Sequence, residues 1–188
     1  YREHVDAAVA AWIATGPEPA LLQLLEAGLH HEQQHQELIL TDLKHLFGQN
    51  PLAPRYRRLP AAPVGAPVPV AWRSVPGGAV EVGATPAGFA FDNEQPRHRR
   101  WLAPFRLASR LVTNGEYATF MADGGYTAPA LWLSDGWAFV RGGRIDRPLY
   151  WSADGAAHYT LGGEAPLDPG APVAHVSYYE ADAFARWA

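Results

Sequence analysis

The sequence contains no cysteine and a single methionine in 188 residues. With no thiols there are no disulfides within this stretch and no thiolate ligands, so a metal bound here has to use histidine and carboxylate. Charge of one sign is also scarce. A net charge of -4 with 18% charged residues gives no electrostatic case for a nucleic-acid or membrane-surface partner. No apolar run approaches the roughly 18 residues that would span a bilayer. The chain opens at Tyr1 without a methionine and stops at Trp187-Ala188 in helix-like sequence, which reads as a fragment of a longer protein. What remains is an ordinary globular composition, 48% hydrophobic, with seven Trp and eight Tyr concentrated after residue 70.

Proline and glycine punctuate the chain unevenly. Residues 4–14 are alanine-rich, with Val5, Val9, Trp12 and Ile13 on one side of a helix, and Gly16-Pro17 ends it. From Pro17 to Phe47 there is no proline after Pro19 and one interior glycine, Gly28. That predicts a single helix of about 30 residues, roughly 45 Å long. The short break between these two helices makes them antiparallel neighbours, half of a four-helix bundle. Residues 49–71 then change character, with Pro51, Pro54, Pro60, Pro63, Pro67 and Pro69 marking a semi-rigid linker whose Arg55, Arg57 and Arg58 face solvent.

Short strands separated by glycine turns follow from Trp72, among them Val75 to Gly83, a turn feeding an alternating strand, and Phe105–Ala108. Thr113-Asn114-Gly115-Glu116 and Ser177-Tyr178-Tyr179-Glu180 each have the capping-box form that starts a helix. Between them, Gly124 to Val173 reads as one long irregular stretch. The partition is therefore 1–48 helical, 49–71 linker and 72–188 a mixed α+β domain.

The chemistry concentrates in the long helix. His31 and His35, four apart, project from one face, on the stripe of Leu21, Leu24, Gly28, Leu38, Asp42 and Leu46. Imidazoles placed where leucines point need partners for their ring nitrogens, and a metal is one such partner. Satisfied core histidines are the other reading. His31-Glu32-Gln33-Gln34-His35 also matches the zincin pattern, with Glu32 as general base. The extended pattern fails, because Leu38 and Thr41 stand where glycine and histidine belong. His30 points about 140° from His35 and reads as facing solvent or a domain interface. His45, His98, His158 and His175 read as structural, and the charged group Glu94, Arg97, Arg99 and Arg100 as surface rather than site. Asp42, two turns past His35, reads as orienting a facing group or forming a salt bridge.

The run from His31 to Leu38, continuing through Thr41-Asp42-Leu43-Lys44-His45, resembles the metal-binding helix of the ergothioneine-biosynthesis sulfoxide synthases, the EgtB family. Val75-Pro76-Gly77-Gly78, Asp92 to His98, Val112 to Tyr117, Asp123 to Tyr126, Trp132 to Trp137 and Pro172 to Ala181 resemble the sulfatase-modifying-factor (formylglycine-generating-enzyme) domain those synthases carry. The resemblance implies an α+β multidomain protein: the C-terminal half of a DinB-like four-helix bundle, then a C-type-lectin-like domain. It implies a cytoplasmic oxidoreductase with non-haem Fe(II) on three histidines, of which His31 and His35 match two. The third belongs to an upstream helix, and His4 does not match it. Gln34 matches a residue lining the hercynine pocket. The family's catalytic tyrosine lies beyond Ala188, so Tyr178 and Tyr179 are not it. The implied reaction joins the sulfur of cysteine or γ-glutamylcysteine to C2 of the hercynine imidazole, using O2. A zinc hydrolase and a catalytically silent ligand-binding module are the alternatives.

Overall fold

The computed structural model describes residues 1–60, 68–143 and 145–188. Residues 61–67, with Pro63 and Pro67 of the expected linker, lie outside the described residues. The chain forms two compact units: residues 1–42 with 76–105, and residues 43–75 with 106–188. Neither is continuous in sequence, because the chain leaves the first unit within the long helix and returns to it over residues 76–105.

In the first unit, α1 (Arg2–Ala14) is built on alanines, the best helix formers, and ends where the Thr15 hydroxyl donates to the Trp12 carbonyl at 2.6 Å and Gly16 turns to φ +70°. The long helix, α2 (Pro19–Gly48), is continuous over 30 residues, with proline at its start where a missing N–H costs nothing. Val5, Val9 and Trp12 of α1 are half-buried, as are Leu25 and Ala27 of α2. The stripe of Leu21, Leu24, Leu38 and Leu46 is open instead, at 44–69% exposure, so the imidazoles on it are not in a core. β1 (Trp72–Val75) belongs to the second unit, while β2 (Gly78–Val82) and β3 (His98–Leu102) pair antiparallel in the first. Glu81 stands directly opposite Arg99, and its carboxylate takes Arg99 at 3.0 Å and Arg97 at 3.4 Å. The loop between these strands folds back through a single 3-10 turn, Asp92–Glu94, whose Glu94 carboxylate accepts from the Phe91 N–H at 2.9 Å.

The second unit contains the core. β4 (Phe105–Ala108) pairs with β1, and α3 (Asn114–Ala122) begins at Thr113, with the predicted capping box complete. Its buried positions, Asn114, Tyr117 and Phe120, recur every three residues and point one face inward. Gly124 to Val173 is more ordered than its composition suggests. It holds α4 (Ser134–Gly143) and the antiparallel pair β5 (Ala157–Thr160) and β6 (Gly163–Pro166). The capping box at Ser177 starts α5 (Tyr178–Trp187).

Aromatic rings fill this core: Tyr117 stacks on Phe184 at 5.5 Å, and Phe120, Tyr126, Trp132 and Trp151 complete the cluster. Its polar atoms are satisfied. The Tyr117 and Tyr126 hydroxyls are 3.1 Å apart, Tyr126 donates to the buried Glu180 carboxylate, and Glu180 also accepts from the Ser177 N–H at 2.7 Å. Burial pushes both phenols upward, so each remains protonated and able to donate. Nor is the described part of the linker loose. Tyr56 N–H donates to the Leu161 carbonyl at 2.9 Å, and a Cβ on Gly163 would collide with the Arg55 side chain 2.7 Å away. Arg55 is solvent-exposed, as expected of the linker, while its aliphatic stem lies against the β5–β6 turn, where Gly163 leaves room for it.

Candidate metal and ligand site

On α2 the rings of His31 and His35 meet edge to face, with centroids 4.6 Å apart. Four residues of helix bring them one turn apart on one face. Both side chains are exposed, and among the described residues neither ring nitrogen has a hydrogen-bond partner. Two imidazoles with free lone pairs at this spacing are a donor pair suited to a transition metal. Among the described residues no group of three His, Cys, Asp or Glu converges on one point, so the pair supplies two donors and no more. Glu32, the general base of the zincin reading, is turned toward α1, where its carboxylate lies 3.7 Å from the Arg2 guanidinium. Asp42 is exposed and forms no salt bridge among the described residues.

Gln34 lies on a different wall. With His30, Gln33, Glu37, Phe91, Asp92 and Asn93 it lines a polar cleft of about 390 Å³ within the first unit. His31 and His35 are not among the lining residues. The cleft decides between the two placements expected for His30: it is half-buried, against residues of the 72–188 part rather than solvent. Its ring stacks on Phe89 at 4.1 Å and 23°, with Phe91 edge-on at 6.2 Å. The physical reason is the aromatic pair Phe89 and Phe91, which offers a flat apolar surface to an imidazole. Phe89, Phe91 and Asn93 were not legible as site residues. The one local signal was Phe-x-Phe running directly into Asp-Asn, an aromatic step ahead of a turn.

A larger groove of about 840 Å³, mostly apolar, lies in the second unit beside Trp72, Leu111, Phe184 and Trp187. Its charged pair is Arg110 and Glu116, joined by two parallel bonds of 2.8 Å each. The Arg110 guanidinium, with help from the Thr113 N–H, holds the Glu116 carboxyl down to about 2.

Comparison with known proteins follows this division of the chain. Residues 66–188 match the sulfatase-modifying factor enzyme 1-like domain. The chain is 33% identical over 160 residues to the hercynine oxygenase of Mycobacterium tuberculosis, and 38% identical over 165 residues to that of Mycolicibacterium smegmatis. Each match takes in 85% of this chain, which spans 37% of the length of those relatives. The formylglycine-generating enzyme of Streptomyces coelicolor is 32% identical over 129 residues, covering 61% of this chain and 41% of its own. Residues 66–188 make up about two thirds of the sequence. A likeness covering 85% must therefore reach back before residue 66, whereas one covering 61% need not. The chain belongs to the sulfatase-modifying factor family, and its resemblance to the EgtB-type hercynine oxygenases holds across most of its length.

Proposed function

We propose that this chain is part of a non-haem, Fe(II)-dependent sulfoxide synthase that uses O2 to join the sulfur of cysteine or γ-glutamylcysteine to C2 of the hercynine imidazole. The observation that carries the reading is the exposed, unpartnered His31–His35 pair on a chain whose likeness to hercynine oxygenases extends beyond the shared domain. His31 and His35 would hold the metal through neutral imidazole nitrogens. Bound there, Fe(II) would supply O2 activation and the oxidation of sulfur, chemistry no side chain in this sequence can perform. The protein's own part is to bind and orient. Gln34 would meet the betaine with a carboxamide that both donates and accepts, on a wall where the Glu37 and Asp92 carboxylates suit a cationic ammonium group.

In this reading residues 1–48 are part of a DinB-like bundle, and the open leucine stripe of α2 is where further helices pack. Residues 49–71 are the linker, and 72–188 are part of a C-type-lectin-like domain. The enzyme works on small molecules in the cytoplasm, without a nucleic-acid or membrane partner. Among the described residues no helix is long and apolar enough to cross a membrane.

The test uses the protein containing this chain, loaded anaerobically with Fe(II). Iron stoichiometry is measured for the wild type, His31→Ala, His35→Ala and the double variant. Hercynine and O2 are then supplied with each thiol and the products read by mass. Iron should be lost in all three variants, and an iron-dependent sulfoxide conjugate should form with one thiol. Near-wild-type iron in the double variant would remove the metal assignment. Bound iron without a conjugate would point to a sister substrate or a silent module. Retained zinc with activity lost on Glu32→Ala would favour the hydrolase.

A further inference from the structure

Lys44 and His175 are 131 positions apart, yet in the second unit the Lys44 Nζ reaches the His175 Nε2 at 2.6 Å. An ammonium group can only donate, so Nε2 is the accepting nitrogen and the proton of the neutral ring sits on Nδ1. Other groups close around the bond. The Lys44 ammonium lies 4.9 Å over the Tyr150 ring, and that ring meets His175 edge to face at 4.8 Å. The Tyr150 hydroxyl is 3.2 Å from His45 Nδ1. His158, on β5 and bridged to Trp151, contributes its charge to the same spot when protonated.

Among the described residues no anion balances this group, and Lys44 has no carboxylate partner. The acids beside His175 are occupied: Asp146 with Arg147, and Glu180 with Tyr126 and the Ser177 N–H. The backbone is also held under strain. Tyr150 and His175, whose side chains meet here, sit at φ +75° and +61°, where non-glycine residues are uncommon, and the Leu149 N–H donates to the His175 carbonyl at 3.2 Å. The pair fixes the end of α2. Gly48 has no side chain, and a Cβ there would press on the Tyr150 and Tyr159 rings at 3.0–3.1 Å.

We propose that the Lys44–His175 bond is a proton-released latch on the last turn of α2, closed while His175 is neutral and opened when Nε2 takes a proton. Protonation removes the only lone pair that Lys44 can use, and it sets two cations face to face where a hydrogen bond stood. Burial, then the Lys44 charge, then His158 hold the His175 ring below its ordinary value, so the latch stays closed through neutrality. The released form takes its proton at the ordinary histidine value, about 6.5. Stabilisation by the latch is therefore complete above that value and is lost as pH falls through the depressed one.

Hydrogen exchange on the whole chain tests this, with protection factors corrected for the intrinsic pH dependence. Amides of residues 45–50 should lose protection about tenfold per pH unit below about 6.5, while those of α3 hold steady. His175→Gln keeps an acceptor that cannot titrate, so its protection should stay flat with pH. Lys44→Met removes the cation but leaves the ring buried, so the pH-dependent loss in the same amides should shrink without vanishing, and the His175 ring should titrate closer to its ordinary value by NMR. An unchanged pH-dependent loss in His175→Gln would overturn the latch. So would a wild-type His175 that titrates at its ordinary value, or one that Lys44→Met leaves unmoved.

Discussion

Replacing Glu116 with glutamine should destabilise the second unit in a way that depends on pH. Glu116 does two jobs at once. Its carboxylate takes both guanidinium nitrogens of Arg110 at 2.8 Å, and it accepts the Thr113 N–H at 2.9 Å to complete the cap of α3. The fall of its pKa from 4.5 to about 2 would correspond to a ceiling of roughly 3.4 kcal/mol at 1.36 kcal/mol per unit. The side chain is 39% exposed, so solvent screening reduces the electrostatic part to about 1–2 kcal/mol. The sign follows from linkage: a depressed carboxyl stabilises the fold above its unfolded value, and that contribution fades as pH falls toward 2. Urea unfolding followed by near-ultraviolet circular dichroism reads this unit, because the fully buried aromatics all lie in it. The wild type should exceed Glu116→Gln by that margin at neutral pH and converge with it in strong acid. A difference that persists unchanged down to about pH 2.5 would refute the ionic origin and leave only the shape of the cap.

Two further substitutions probe the core. Gly125→Ala places a methyl group inside the Phe120 ring, which is completely buried and cannot yield cheaply, so a loss of about 1–3 kcal/mol should appear as a lowered melting temperature. Tyr126→Phe leaves the buried Glu180 carboxylate and the Tyr117 hydroxyl without a shared partner. It should cost about 1–3 kcal/mol by urea midpoint, more than Tyr117→Phe, which leaves the bond to Glu180 intact.

Where local chemistry decides the structure, the sequence already shows it. The long helix was expected over 17–47 and spans Pro19–Gly48, because it lacks interior proline. The capping boxes at Thr113 and Ser177 form because side chain and backbone meet within one turn. The His31–His35 geometry is legible for the same reason. By contrast, α4 contains Gly136, Gly142 and Gly143, which hide a helix from any propensity argument. It forms because Val140 and Trp137 find the aromatic core. His30 on Phe89 and Lys44 on His175 join residues far apart in sequence, and no spacing rule announces such pairs.

The two ends of α2 are held by different means, and this bears on the function proposed for it. Among the described residues of the first unit none is fully buried, so the packing for the turns carrying His31 and His35 is, in the proposed reading, what further helices on the leucine stripe would supply. The last turn lies instead in the unit that holds the whole buried aromatic core, with Gly48 against two tyrosine rings and Lys44 bonded to His175. In that reading, a metal on His31 and His35 would add its binding free energy to this face, since a metal that binds only the formed turn stabilises that turn. The histidine pair would then be where this helix gains from a bound metal, whereas its last turn is already held by Gly48 against the tyrosine rings and by Lys44 on His175.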